Sequence, residues 1–149
     1  MKSLLLVYHS QSGVSARLAR AARRGAQSEL AVTTLRAWDA CTDDLSRADG
    51  VLLVAAENSG SLSGGIKDFL DRSFYPAIER DLMLPYALIL SAGNDGRGAS
   101  KQAQRILSGY PLPAATEALI LRGETNETHL NESESLGQAF AAGLVMGIF

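Results

Sequence analysis

Short apolar runs alternate with longer amphipathic segments along this chain, and this alternation limits the folds that it can adopt. The apolar runs fall at residues 4–7, 30–35, 51–54, 87–90 and 118–121. Strands buried on both faces are uniformly apolar, and parallel strands need a crossover segment that is usually a helix. The pattern therefore predicts an α/β fold, a doubly wound five-stranded parallel sheet with helices on both faces.

Helical spacing fills the segments between these runs. Val14, Leu18 and Ala22 recur at four-residue spacing, so the first helix is expected to begin directly after Gly13. A short helix is expected around residues 43–47, and the polar stretch 124–135 is expected to be the capped start of the last helix. Apolar residues that mark the other helices are Ile66, Phe69, Leu70, Ile106, Leu107, Leu136, Phe140 and Leu144.

Length and charge restrict the kind of protein. With 149 residues the chain can bury one good core, so we expect a single domain over residues 1–149. Its net charge of -2 offers no footprint for nucleic acid or an anionic membrane, so neither is expected as a partner. The first apolar run is too short for a signal peptide or a membrane span, and Cys41 is the single cysteine, so we expect a cytoplasmic protein without disulfides.

Three loops rich in serine and glycine follow the first, third and fourth apolar runs, at residues 9–15, 57–65 and 91–98. In a doubly wound sheet of this length, the loops after these strands converge on the crevice at the topological switch point, where ligands bind. The coincidence of composition and position predicts a ligand site there. His9 and His129 do not suggest a metal site, and no catalytic side chain is predicted.

The first loop has the composition of a phosphate site. Serine hydroxyls and successive backbone N–H groups at the start of a helix suit a phosphate dianion, and Gly13 permits close approach of the backbone. An ordinary serine cap followed by a glycine turn is the alternative that this loop alone leaves open.

Other phosphate motifs fit less well. No Gly-x-Gly-x-x-Gly follows any predicted strand, and the Walker-like spacing of residues 93–100 has Ala99 where the lysine must be. Cys41 and Arg47 have the spacing of a Cys-x5-Arg phosphatase, but Asp43 and Asp44 lie between them and would repel a phosphate. A phosphoacceptor receiver domain would need acidic residues where residues 8–9 and 55–56 stand.

The second loop and the helix after it carry the most specific resemblance. Residues 57–71 resemble the Glu-Tyr-Asn-Gly-Ser-x-Pro-Gly-x-Leu-Lys-Asn-x-x-Asp segment of NAD(P)H-dependent FMN reductases and flavodoxin-like quinone reductases. The first loop is similar to the Ser-x-Thr-Gly-x-Thr phosphate loop of flavodoxins, and residues 91–98 are similar to their third flavin loop. Residues that match the second-loop segment in register are Glu57, Gly60, Ser61, Gly64, Lys67 and Asp71.

The resemblance implies a flavodoxin-like fold and a set of cofactor contacts. The phosphate of FMN would lie on Ser10, Gln11, Ser12, Gly13, Val14 and Ser15. The isoalloxazine would lie beside Glu57, Asn58, Ser59, Gly60 and Ser61. Its other side would be lined by Ser91, Ala92, Gly93, Asn94 and Gly96. Alternatives stay open for two of these segments, a solvated loop carboxylate for Glu57 and a simple turn for residues 94–96. Lys67 and Asp71, at i and i+4, are expected to form a helix-surface pair.

The chain also departs from the family. Asn58 replaces the tyrosine, Ser63 replaces the proline, and neither ring loop has the Trp or Tyr that sandwiches the flavin in electron-carrying flavodoxins. Trp38 and residues 74–76 are candidates for stacking, from the same or another subunit, with ordinary packing as the alternative.

The function implied by the resemblance is hydride transfer from NADH or NADPH, through FMN, to a quinone, a free flavin or a similar small acceptor. Two alternatives are a one-electron carrier flavodoxin for a protein partner and a scaffold that has lost its cofactor. The carrier is disfavoured by the near balance of 14 basic and 16 acidic residues, and the scaffold by the intact phosphate loop. The sequence leaves the nicotinamide preference open and keeps a homodimer as an option.

Overall fold

The computed structural model describes residues Met1–Phe149 and contains five helices and six strands. In chain order they are β1 (Ser3–Tyr8), α1 (Val14–Gln27), β2 (Ala31–Arg36), α2 (Thr42–Ser46), β3 (Gly50–Asn58), β4 (Ser61–Leu62), α3 (Gly64–Glu79), β5 (Tyr86–Ala92), α4 (Arg97–Gly109), β6 (Leu119–Arg122) and α5 (Glu127–Met146). A single 3₁₀ turn, Ala37–Asp39, separates β2 from α2. None of the helices is long and apolar enough to cross a lipid bilayer.

The five long strands form one parallel sheet in the order β2-β1-β3-β5-β6. This confirms the predicted doubly wound α/β sheet, with its switch point between β1 and β3. The sixth strand, β4, was not predicted: it is two residues long and pairs antiparallel with the end of β3, inside the second loop.

Strand pleating divides the core into two layers. Successive side chains of a strand point to opposite faces, so Leu4 and Leu6 pack with α1 and α5, while Leu5 and Val7 pack with the layer that holds α2, α3 and α4. Two glycines let α1 and α5 approach closely, because a Cβ on Gly25 or Gly137 would collide with the backbone of the facing helix. This packing fixes the direction of α1, whose N-terminus follows the first loop.

Helix starts agree with the predicted boundaries. Helix α1 begins at Val14, directly after Gly13, which is left-handed at φ 98°. Helix α5 begins at Glu127 inside the predicted polar entry, and the side chain of Asn126 caps it by accepting from the His129 N–H at 3.0 Å. The predicted pair of Lys67 and Asp71 is present on α3, with Nζ and Oδ2 2.7 Å apart.

Candidate functional site

Two adjoining cavities, of about 430 Å³ and about 170 Å³, lie at the carboxyl ends of the central strands. They share the lining residues Ser12, Val14, Ala56, Asn58 and Ser91. We call the two together the loop crevice. The larger cavity is also lined by Arg17, Glu57, Ala92, Gly93, Gly123, Glu124 and Thr125. The smaller cavity is also lined by His9, Ser10, Gln11, Ser15 and Ser63.

The first loop borders the smaller cavity, and most of its polar groups make no hydrogen bond that involves a side chain of the protein. One such bond ties it together, from the Gly13 N–H to Ser10 Oγ at 3.0 Å. The first turn of α1 contains no acidic side chain, and the leading N–H groups of a helix have no intrahelical acceptor. A Cβ built on Gly13 would meet nothing within 4 Å, so the backbone there is open to a close approach. The arrangement suits a small anion.

The second loop is a tight hairpin rather than an open loop. Residues Ser59 and Gly60 both have positive φ, 52° and 77°, as two-residue hairpin turns of type I′ require. Pairing of Glu57 with Leu62 and of Asn58 with Ser61 closes the hairpin. The left-handed conformation is costly for a serine, so the surrounding contacts must hold this turn in place.

Those contacts come from the start of α4. Glu57 Oε2 accepts from the Ala99 N–H at 3.1 Å, and Gln102 Oε1 accepts from the Leu62 N–H at 2.8 Å. Gly98 lies so close to the Gly60 carbonyl that any side chain there would collide with it. Glu57 is therefore a half-buried carboxylate that lines the crevice and also binds the positive end of α4, rather than a fully solvated one.

The third loop is held by local bonds. Asp95 Oδ1 accepts from the Arg97 N–H at 3.0 Å, and the Asp95 carbonyl accepts from Arg122 Nε at 3.0 Å. Gly96, at φ 71°, is the cap residue of α4 and has no room for a Cβ beside Ile120. Residues 94–96 thus form the turn that starts α4, while Ser91, Ala92 and Gly93 face the crevice.

The structure brings most of the predicted cofactor-binding residues together, from all three loops. Those that line the crevice are Ser10, Gln11, Ser12, Val14, Ser15, Glu57, Asn58, Ser91, Ala92 and Gly93. The lining does not include Gly13, Ser59, Gly60, Ser61, Asn94 or Gly96. Ser61 instead lies beside α4, with its Oγ 3.4 Å from Gln102 Oε1.

Sequence reasoning missed one wall of the crevice. Gly123, Glu124 and Thr125, between β6 and α5, line the larger cavity together with Arg17. The signal that could have located this wall is the strand order itself, because β6 lies next to β5 and ends at the same edge of the sheet.

Ser63 is a second residue that the sequence did not assign to the site. It is the N-cap residue of α3 and is 1% exposed, yet its hydroxyl makes no capping bond. Its Oγ has no hydrogen-bond partner within the chain, although the residue borders the smaller cavity.

The aromatic candidates lie outside the crevice. Trp38 is 58% exposed and packs edge-on against His9, with ring centroids 5.5 Å apart. Phe74 packs against Tyr75 and Tyr110 on the layer of α3 and α4, so residues 74–76 do not reach the site. Within the chain, Phe74 therefore has a packing role while Tyr75 is 72% exposed, and Trp38 is a neighbour of the first loop through His9.

Three side chains with shifted pKa values also lie outside the crevice. Burial raises the pKa of Tyr86, and burial together with the nearby Asp71 carboxylate raises the pKa of Tyr110, whose hydroxyl donates to the Leu70 carbonyl. A hydrogen bond and charge attraction from Arg80 lower the pKa of Asp43. These shifts reflect core packing and a surface ion pair rather than a titrating group in the site.

Comparison by sequence gives no match, either to a protein-family model or to a curated protein. Comparison by structure gives many. A flavodoxin from the domain Archaea has a TM-score of 0.83 at 18% identity, covering 96% of this chain and 99% of that one. The flavodoxin, WrbA-like protein from Agrobacterium tumefaciens has a TM-score of 0.82 at 18% identity, covering 98% of this chain and 99% of that one.

Larger proteins contain the same unit. The rubredoxin oxygen:oxidoreductase from Desulfovibrio gigas has a TM-score of 0.84 at 12% identity, covering 99% of this chain and 37% of that one. At these identities the likeness concerns the backbone. Strand order, the position of the loop crevice and the structural neighbours together establish that this chain has the flavodoxin-like fold.

Proposed function

We propose that the protein is an FMN-binding oxidoreductase that takes a hydride from NADH or NADPH and passes electrons to a quinone, a free flavin or a similar small acceptor. The observation that carries the proposal is the convergence of the three predicted loops on one crevice, at the switch point of the sheet and beside the N-terminus of α1.

The residues present fit FMN at this place. Ser10, Ser12 and Ser15 supply hydroxyls beside a helix N-terminus without first-turn acids, which suits a phosphate dianion. The larger cavity, between the hairpin and the third loop, has mixed polar and apolar walls and leaves room for a ring system. Bound FMN would supply the redox chemistry, accepting a hydride from the nicotinamide and returning two electrons to the acceptor. The protein's own part is to hold the phosphate and to fix the walls around the ring.

The small side chains of the crevice favour a reductase over a one-electron carrier. No Phe, Tyr or Trp lines either cavity. A flavin held there without an aromatic lid keeps a face accessible, and hydride transfer needs a nicotinamide stacked against such a face at roughly 3–3.5 Å. The lost aromatic stacking would cost about 0.5–1.5 kcal/mol of affinity, which the phosphate contacts offset.

The first test is the visible spectrum of the purified protein, with mass spectrometry of whatever heat releases. We expect a yellow protein that contains FMN, or an apoprotein that quenches the fluorescence of added FMN and binds FMN more tightly than riboflavin. A colourless protein that leaves FMN fluorescence unchanged would reject the proposal in favour of a scaffold.

The second test separates reductase from carrier. Under anaerobic conditions, NADH or NADPH should bleach the flavin absorbance of the loaded protein, and a quinone should restore it. If neither nicotinamide bleaches the flavin while a chemical reductant does, the protein is a carrier. The proposal includes a small-molecule acceptor and a cytoplasmic location, and the same assay with a panel of quinones and flavins would identify the acceptor class.

A further inference from the structure

We propose that the Ser63 hydroxyl donates a hydrogen bond to the phosphate of the bound flavin nucleotide, as a contact from α3 in addition to the first loop. This inference rests on the proposed binding of FMN in the loop crevice. It concerns a position where this chain has serine and the related segment of FMN reductases has proline.

The hydroxyl is buried without a partner. Ser63 is 1% exposed, and its Oγ makes no hydrogen bond within the chain. Its backbone groups are fully used, since the Ser63 N–H donates to the Ala56 carbonyl at 2.9 Å and its carbonyl accepts from the Lys67 N–H at 3.1 Å. Leaving a buried hydroxyl unpaired costs free energy, so a partner supplied by a ligand would recover that cost.

Helix capping does not explain the serine. At an N-cap position, a serine oxygen usually accepts from a backbone N–H two or three residues further on. Ser63 precedes α3 but makes no such bond. The hydroxyl is therefore not committed to the helix start, although the residue borders the smaller cavity.

The surroundings select an anion. Ser63 borders the smaller cavity, whose lining includes Ser10, Ser12 and Ser15 and contains no carboxylate. Glu57 and Glu124 line only the larger cavity. The N-termini of α1 and α3 both border the smaller cavity, through Ser15 and Ser63, and each favours negative charge. The phosphate of FMN is thus expected in the smaller cavity, where a fourth hydroxyl from α3 can reach it.

The test compares Ser63→Ala with Ser73→Ala. Ser73 lies within α3, is fully buried and has an unpaired hydroxyl like that of Ser63, but it lines neither cavity. Both substitutions should leave the thermal midpoint of the apoprotein unchanged or raise it, because each removes an unpaired polar atom. Fluorescence titration should show FMN binding about tenfold weaker or more for Ser63→Ala, with unchanged riboflavin binding.

Ser73→Ala should bind both flavins like the wild type. Ser63→Gly, which keeps a residue suited to the N-cap, provides a second variant without the hydroxyl.

Each outcome decides between the two hypotheses. If the wild type binds no FMN, the proposed function fails and this inference fails with it. If the wild type binds FMN and Ser63→Ala binds it equally well, the function stands and the Ser63 contact is wrong. Equal losses for FMN and riboflavin would also overturn the phosphate contact, because the hydroxyl would then serve the ribityl chain or the ring. Equal losses in the Ser63 and Ser73 variants would assign the effect to packing of α3.

Discussion

The first loop and the hairpin formed by β3 and β4 border the same crevice, but their polar groups are bonded in opposite ways. The first loop has one internal side-chain bond, from the Gly13 N–H to Ser10 Oγ, and its other hydroxyls face the smaller cavity. The hairpin is tied to α4 by Glu57 and by Gln102. The crevice thus combines two different sides. The first loop, the side proposed to bind the ligand, has free hydrogen-bonding groups, and we call it the ligand side. The groups of the hairpin already support the fold, and we call it the fold side.

Gly13→Val should produce the largest effect on the ligand side. A β-branched residue at φ 98° is strained, and its side chain would occupy the open space beside the first loop. We expect FMN affinity to fall by about a hundredfold or more, the equivalent of two lost charge-assisted hydrogen bonds. The unfolding free energy should fall by only about 1–2 kcal/mol, the cost of a left-handed residue that is not glycine.

Gly147→Val is the matched control for that variant. Gly147 has φ 69°, is the cap residue that ends α5, and would also place a Cβ in open space. The same backbone strain should therefore lower the thermal midpoint to a similar degree without weakening FMN binding. Should both variants bind FMN equally well, the phosphate does not lie against the first loop.

Glu57→Ala should have its main effect on the fold side. The substitution removes a charge-assisted bond to the Ala99 N–H at the positive end of α4, which is worth about 1.5–3 kcal/mol of unfolding free energy. The affinity ratio of FMN to riboflavin should stay at the wild-type value, because the phosphate side is untouched. Denaturant unfolding and paired titrations would measure both quantities.

Glu57→Gln sharpens that result, since it keeps an acceptor oxygen and removes only the charge. We expect it to lose about 0.3–1 kcal/mol, the contribution of a charge at a helix N-terminus. A change in the ratio of FMN to riboflavin affinity in either variant would contradict the division of the crevice into two sides.

The same division explains which features the sequence could predict. The five parallel strands and the start of α1 follow from apolar runs and from Gly13, which are local signals. The hairpin does not, because β4 has two residues and one turn position is Ser59 rather than a glycine or an asparagine. The double role of Glu57 depends on Ala99, which is 42 residues away in the sequence. Ser63 stood out in sequence only as a missing proline, because its unpaired hydroxyl is a property of the packed structure.

Gln102→Ala should lower the unfolding free energy less than Glu57→Ala does. Gln102 Oε1 accepts from the Leu62 N–H of β4, a neutral bond on a half-buried strand. The expected loss is about 0.5–1.5 kcal/mol of unfolding free energy, with FMN binding unchanged.

Gln104→Ala, on the exposed side of the same helix, is the control and should leave the unfolding free energy unchanged. Hydrogen exchange of the β4 amides offers a local measurement, and unchanged exchange in Gln102→Ala would show that the hairpin is held by other contacts.

Arg17→Gln should give the smallest change in FMN affinity. This variant tests how far the ligand side extends toward the wall between β6 and α5. Arg17 is exposed, lines the larger cavity with Glu124 and forms no salt bridge in the structure. An exposed charge near a helix N-terminal anion site contributes about 0.3–1 kcal/mol, so FMN affinity should fall roughly two- to fivefold. The loss should disappear at about 1 M salt, where the Debye length shrinks to about 3 Å, and riboflavin binding should not change.

Arg20→Gln is the control, because Arg20 is exposed on the same helix but lines neither cavity. Equal losses of FMN affinity in the two variants would mean that the positive charges of α1 attract the phosphate regardless of their position. The ligand side would then end at the first loop.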